Sequence, residues 1–518
     1  MPTKFAQRSA ALAIAAALAL TGCGSQSGST PTSEPSSQSE GPVSAGTLTV
    51  GARVDNNSFD PADLEIGNRV QYWQPVYDTL IRLDAEATPQ PNLATEWQYN
   101  DDSTVLTLEL RDDVTFTDGE PFNGDAVKAN IEHIQAGTGQ NRFMVAAIEE
   151  VVVNSDTQVE LRLSEPVPAL LSYLGWVAGA MASPAALEGG SIAEEPVGSG
   201  PYVYSASDST PGTEYVYTRN ADYWNLEEFP YEEYIVRPIN DVTALVNALK
   251  TGQVNAASLT PAVADEVAAS GATVTTNAVA WAGLLINDRE GTMVPELADV
   301  RVRQAINLAF DREGLITAIL NGYGTPTSQV FNVQSDAYVE ELDTAYTFDV
   351  AAAQQLMDEA GVGPFTITLP QWDGPWTNLW PILADQLAQI DVTVEYVQIP
   401  ADQAVAEALS GKYPVVYFPL ASATAWQDIQ TWVAPDAPWN TFGASDEELD
   451  ALIEAAQFAP TEEQPAAFAA VGEWLVENAW FAPLYRQDNV FGTTPDTTVT
   501  MQAQNAVPSL WQYRPAGG

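Results

Sequence analysis

Cysteine and histidine are almost absent from this chain of 518 residues, which has one of each, Cys23 and His133. A lone cysteine excludes an internal disulfide framework, a cysteine-based metal site and a thiol pair for redox work. A lone histidine, beside Glu132 in a stretch that reads as helix, excludes a site built from several imidazoles; neither bound metal nor cofactor is expected. Basic residues are scarce too. Against 69 Asp and Glu stand 19 Lys and Arg, only four of them lysines, for a formal charge of −50. No basic face can be assembled from so few to grip a phosphate backbone, which excludes nucleic acid as a partner. There is no Gly-x-Ser-x-Gly elbow, the Gly198-Ser199-Gly200 turn lacks its flanking pattern, and His133 has no triad context, so the chain is not expected to be an enzyme. No fixed-period repeat argues for a solenoid or propeller.

What is present begins with a leader. Lys4 and Arg8 precede an Ala/Leu/Ile run from Ala10 to Leu20, too short to span a bilayer as a mature helix but suited to a secretory leader. The run meets Leu20-Thr21-Gly22-Cys23, which resembles the bacterial lipobox. That resemblance implies cleavage after residue 22 and diacylglycerol on Cys23, anchoring the protein to the outer face of the cell membrane. Residues 23–45 are Ser, Thr, Gln, Gly, Pro and Glu with almost no large apolar side chain, the composition of a disordered tether.

From residue 46 onward the chain, 46% apolar overall, alternates strand and helix signals. Strands are expected at Thr47–Val50, Val105–Leu110, Val151–Val153, Gln158–Leu163, Tyr215–Thr218, Tyr234–Pro238, Phe365–Leu369, Val392–Val397 and Val415–Phe418. Helices are expected at Gly124–Ile134, Val242–Thr251, Val300–Phe310, Val350–Ala360, Leu379–Gln389, Asp446–Ala456 and Pro465–Asn478. Asp349 stands at an N-cap position, and Gly361 ends its helix. Val300, Ala305, Ile306 and Ala309 form one helical face, which puts Arg301 and Arg303 on others. Strands separated by helices of this length indicate an α/β body with mixed sheets.

Several stretches, in fixed order, resemble the peptide/nickel/oligosaccharide-binding class of ABC solute-binding proteins, family 5: Ser58-Phe59-Asp60-Pro61, Val76-Tyr77-Asp78-Thr79-Leu80, Pro91-Asn92-Leu93-Ala94-Thr95-Glu96-Trp97, Leu110-Arg111-Asp112-Asp113-Val114-Thr115-Phe116 with Asp118-Gly119, Val197-Gly198-Ser199-Gly200-Pro201-Tyr202, Asn220-Ala221-Asp222-Tyr223-Trp224, and Asp299-Val300-Arg301-Val302-Arg303-Gln304-Ala305-Ile306 running to Asp311-Arg312. The resemblance covers essentially everything from residue 47 to about 495, and most of these residues read as scaffold. The resemblance implies a three-domain, two-lobed periplasmic-binding-protein fold of type II, the large peptide-binding class, with a hinge. Lobe I would comprise a base (46–71, 186–275 and 490–518) and an inserted subdomain (72–185); lobe II would be 276–489. It also implies a monomer that captures a small solute (peptide, peptide-like or oligosaccharide) between the lobes and passes it to the permease subunits of an ABC importer. A lipoprotein that senses the ligand for a signalling partner is the alternative.

In peptide-binding members, an Ala-Asp-Tyr segment just after a lobe II strand supplies a carboxylate for the ligand's ammonium group. Here the strand at Val415–Phe418 leads into Ala421-Ser422-Ala423-Thr424-Ala425-Trp426-Gln427-Asp428, with Ala423 where the aspartate falls; Asp428 is the substitute candidate. Trp426 is a stacking candidate, as are Trp372 and Trp376, which lie in a strand-to-helix loop where ligand contacts commonly sit. Trp281, before the strand at Leu284–Ile286, is another. Asn57, with Asn56, follows the first strand and can donate to a ligand carbonyl, although a turn role suits both equally. Trp380, Trp432 and Trp439 read as core.

Overall fold

The computed structural model describes residues 46–374 and 376–517; the leader, Cys23 and the tether lie outside them. Its largest sheet has nine strands, in the order Val415–Ala421, Thr273–Ile286, Phe481–Thr493, Ala256–Leu259, Thr47–Ala52, Glu233–Pro238, Tyr215–Arg219 and Tyr202–Tyr204, with Gly324–Pro326 added beside Phe481–Thr493. Thr47–Ala52 runs parallel to both its neighbours and the remaining pairings are antiparallel, a mixed sheet as expected. A separate antiparallel sheet joins Ala94–Tyr99, Val105–Leu110, Gln158–Leu163 and Ile148–Ser155, and Phe365–Gln371 pairs in parallel with Val392–Gln398.

The two long strands organise the molecule. Thr273–Ile286 and Phe481–Thr493 pair along their length, from Thr273 opposite Thr493 to Leu285 opposite Phe481. One end of this ribbon borders Ala256–Leu259 and the other borders Val415–Ala421, so it carries the chain out of one group of strands into another. Its register shifts twice, at Ala278/Ala280 and Ala282/Gly283, where bulges add local twist. At the second shift the strands approach so closely that a Cβ on Gly283 would lie 2.4 Å from the Ala482 carbonyl oxygen, which leaves room only for glycine.

Part of the acidic excess is spent on helix starts. Asp241, Asp299, Asp311, Asp349 and Asp446 each accept a backbone N–H at an N-cap, an arrangement worth about 1 kcal/mol per cap and favoured by the helix dipole. The helix Val350–Ala360 runs between its expected ends, with Gly361 left-handed at φ 70°.

Four of the recurring motifs meet at one buried side chain. Asp78 is 5% exposed. Its carboxylate accepts from Ser199 Oγ (3.1 Å), Tyr223 OH (2.8 Å) and Trp224 Nε1 (3.3 Å), while Arg111 lies 4.0 Å over the Trp224 ring. Residues spread from 78 to 224 are thereby tied together. Arg303, which the spacing set apart from the apolar face, turns inward and donates to the carbonyls of Leu297, Ala298 and Asn478. Arg312 does likewise for Asn307, Thr327, Tyr346 and Pro483. A planar guanidinium with five donors can satisfy several carbonyls at once, which helical spacing alone does not reveal.

Candidate ligand-binding site

The buried strand Val415–Ala421 delivers the chain to Ser422, after which Thr424 caps a short helix, Ala425–Asp428, that runs on as a π-helical turn, Ile429–Val433. Such wider turns recur at functional sites. On the exposed side of this segment, Gln427, Gln430 and Thr431 follow helical i, i+3, i+4 spacing. With Trp426 and Pro438 they form one wall of a cavity of about 670 Å³. The opposite wall comes from residues 143–173, including Phe143, Glu165, Val167 and Tyr173. Its volume suits a small solute, and its apolar surfaces with a few polar groups are what such sites use for affinity and orientation. Beside it Gln457 Nε2, on the helix Glu447–Phe458, donates to the Pro166 carbonyl at 3.2 Å.

Asp428 lies behind Trp426 and Gln427 and is 1% exposed. Its Oδ1 accepts from the Ala423 N–H at 2.8 Å; its Oδ2 has no partner. Burial pushes its carboxyl well above the usual carboxylate range; the Ala423 amide works against that shift and the negative charge of Asp336 adds to it. Across the cavity, burial and then the charge of Asp428 push up the phenol of Tyr173. A buried carboxylate facing no cation is strongly disfavoured in its charged form. Ala423 contributes its backbone N–H to that carboxylate.

Trp281 is fully buried and does not line the cavity. It packs edge-on between Trp432 (5.7 Å) and Phe481 (5.5 Å), so it supports the π-helical turn from behind. Trp372 and Trp376 do occupy a strand-to-helix loop, but that loop folds back onto the core. Trp372 is 6% exposed against Trp380 and Phe418, and Trp376 packs on Tyr417. Trp380 and Trp432 are buried, and Trp439 packs on Phe418 at 4.7 Å. Asn57 donates to the Asp63 carbonyl (2.9 Å) and Glu65 Oε1 (3.0 Å) and lines, with Asn56, a different cavity that has no lining residue in common with that of Trp426. Of the residues singled out from the sequence, Trp426 and Asp428 therefore come together with Trp281 beneath them, while Trp372, Trp376 and Asn57 do not join them. Phe143, Glu165 and Tyr173 were not anticipated; only the Gln427, Gln430, Thr431 spacing on the other wall carried a visible pattern.

Among the described residues, no group of three or more His, Cys, Asp or Glu is arranged to hold a metal ion, and no helix is long and apolar enough to cross a membrane. His133 Nε2 lies 2.6 Å from Asp60 Oδ1.

Comparison with known proteins agrees with this architecture. The family model described as bacterial extracellular solute-binding proteins, family 5 Middle, matches residues 88–440. The glutathione-binding protein GsiB of Salmonella typhimurium is 28% identical over 385 residues, covering 70% of this chain and 72% of its own length. Among solved structures, the ABC transporter substrate-binding protein CtaP of Listeria monocytogenes aligns with a TM-score of 0.79 at 21% identity, over 91% of this chain and 99% of its own. HbpA2 of Haemophilus parasuis aligns with a TM-score of 0.80 at 20% identity, over 90% of this chain and 99% of its own. The match extends over well more than half of the chain, and the chain belongs to the bacterial extracellular solute-binding proteins of family 5, extracytoplasmic receptors of ABC importers rather than enzymes.

Proposed function

We propose that this protein is a lipid-anchored receptor that captures a peptide or peptide-like solute by its amino group and hands it to an ABC permease. The observation that carries this reading is the free Oδ2 of buried Asp428, which adjoins the lining residue Gln427 and whose charge acts on Tyr173 of the facing wall: an incoming ammonium group supplies the counter-charge that this carboxylate lacks. The relative GsiB, named for binding glutathione, a peptide-like solute, supports the class. The two-lobed division (46–71, 186–275 and 490–518 with the insert 72–185, against 276–489) is supported by the long ribbon, whose strands leave one group of strands near 275 and 490. Two crossing strands make a hinge, and a solute touching both cavity walls favours the closed arrangement by its differential affinity for it. Lipid on Cys23 would keep this receptor, acting as a monomer, at the membrane that holds the permease.

The test is a thermal-shift series on the full chain. A solute that binds only the native state raises stability by RT ln(1 + [L]/Kd). Short peptides with a free amine are expected to raise Tm and their N-acetylated forms are not; equal shifts from both would overturn amine capture. Cys23→Ser is expected to release the protein from the membrane fraction.

A further inference from the structure

The cavity beside Trp426 carries charge of one sign. Glu165 lines it, and Asp428, 1% exposed with Oδ2 free, follows the lining residues Trp426 and Gln427 in the same short helix. No lysine or arginine lines it, and its other polar side chains, such as Ser164, Gln430 and Thr431, are neutral. Arg142 lines the neighbouring cavity, which shares Phe143 and Ala146, and its Nε is engaged by the Gln135 carbonyl at 2.8 Å. Beyond Arg142, the basic side chains nearest in sequence to the two walls are paired, Arg162 with Glu150 and Glu160 and Lys412 with Glu407.

Such walls treat the two ends of a short peptide differently. An ammonium group gains the counter-charge of Asp428. A carboxylate drawn in with it gives up its hydration, meets no cation among the lining residues and faces the charge of Glu165, a penalty that discriminates between the two ends. The charge of −50 on the whole chain acts in the same direction at long range, drawing cations and repelling anions until salt screens it.

We infer that the cavity selects solutes bringing a positive charge and no free carboxylate, of the class of carboxyl-blocked short peptides and peptide-like amines. This rests on amine capture as proposed above and goes beyond it by assigning the other end of the solute.

Calorimetric titration of the full chain with four forms of trialanine separates the two ideas: the free acid, the C-terminal amide, and the N-acetyl derivative of each. The amide is expected to bind at least about tenfold more tightly than the free acid. Gln430→Arg, an exposed change on the cavity wall, is expected to narrow that gap by giving the carboxylate a partner. A free acid that binds as tightly as the amide overturns the inference even if acetylation abolishes binding, in which case amine capture stands. Acetylated and free-amine amides of equal affinity, or no binding by any of the four, overturn amine capture and the inference with it.

Discussion

Two buried aspartates contrast a scaffold residue with one of the proposed site. Asp78 and Asp428 are both hidden from water, and burial drives both carboxyls upward, yet their surroundings differ. Asp78 is held by Ser199, Tyr223 and Trp224, with Arg82 adding a favourable charge, which limits its rise to about 6. Asp428 has one amide donor and a free oxygen. A fully bonded buried carboxylate ties elements together; an under-bonded one beside a cavity wants something from solution.

The sharpest way to break the comparison is to remove each carboxylate. Asp78→Ala strips the acceptor from three donors and is expected to cost about 3 kcal/mol or more, read as a lower midpoint in urea unfolding. The native state holds the Asp78 proton up to about 6, whereas the unfolded chain releases it near 3.8, so the native state binds more protons between those values. The stability due to Asp78 therefore declines as pH rises through that window and is level above it. Asp78→Asn is expected to remove this slope.

Asp428→Asn should behave in the opposite manner. It deletes a charge that has no partner in the free protein, so stability is expected to hold or rise slightly, while affinity for an amine-bearing solute falls by about 100-fold. An unfolding midpoint that drops as far as that of the Asp78 variant would place Asp428 in the scaffold. Smaller in effect is pH. Only the ionised carboxylate attracts the ammonium group, so affinity in the parent protein is expected to fall as pH is lowered, approaching about tenfold per unit once Asp428 holds its proton in the free state. In Asp428→Asn the titration should be flat.

The same contrast explains what could be read from the chain alone. Strands and helices followed from periodicity and caps, because Asp349 and Gly361 mark a helix by local chemistry. Asp428 could be named as the substitute candidate because the strand leading to it could be identified and Ala423 occupies the expected place. The far wall was not legible: Phe143, Glu165 and Tyr173 face Trp426 only because chain segments some 250 to 280 residues apart in sequence are folded together, and no local pattern encodes that juxtaposition. Trp372 shows the reverse arrangement. Loop position argued for a contact with solute, but an indole ring buries so much apolar area that the loop closed over it against Trp380 and Phe418.

A third acidic residue, Asp60, sharpens the comparison at its weak end, because its partner is the lone histidine. The Asp60 hydrogen bond raises His133 above its ordinary value of 6.5, against the burial that would lower it. Burial works to raise Asp60, but the bonds from His133 and the Ala62 amide outweigh it and hold its carboxyl below the usual range. For histidine, a folded value above the unfolded one means stability that is fully present below about 6.5 and lost as pH rises through the folded value. For Asp60, the contribution is present above its unfolded value and lost as pH falls through the folded one, so the pair is intact in mildly acidic solution. Because both side chains are partly exposed, the effect is expected to stay under about 1 kcal/mol. His133→Gln should therefore lower Tm by a few degrees at most near pH 5.5 and by progressively less as pH rises past neutrality. A deficit that grows with pH would mean that His133 acts here as a neutral packing group and that its bond to Asp60 contributes no charge pairing.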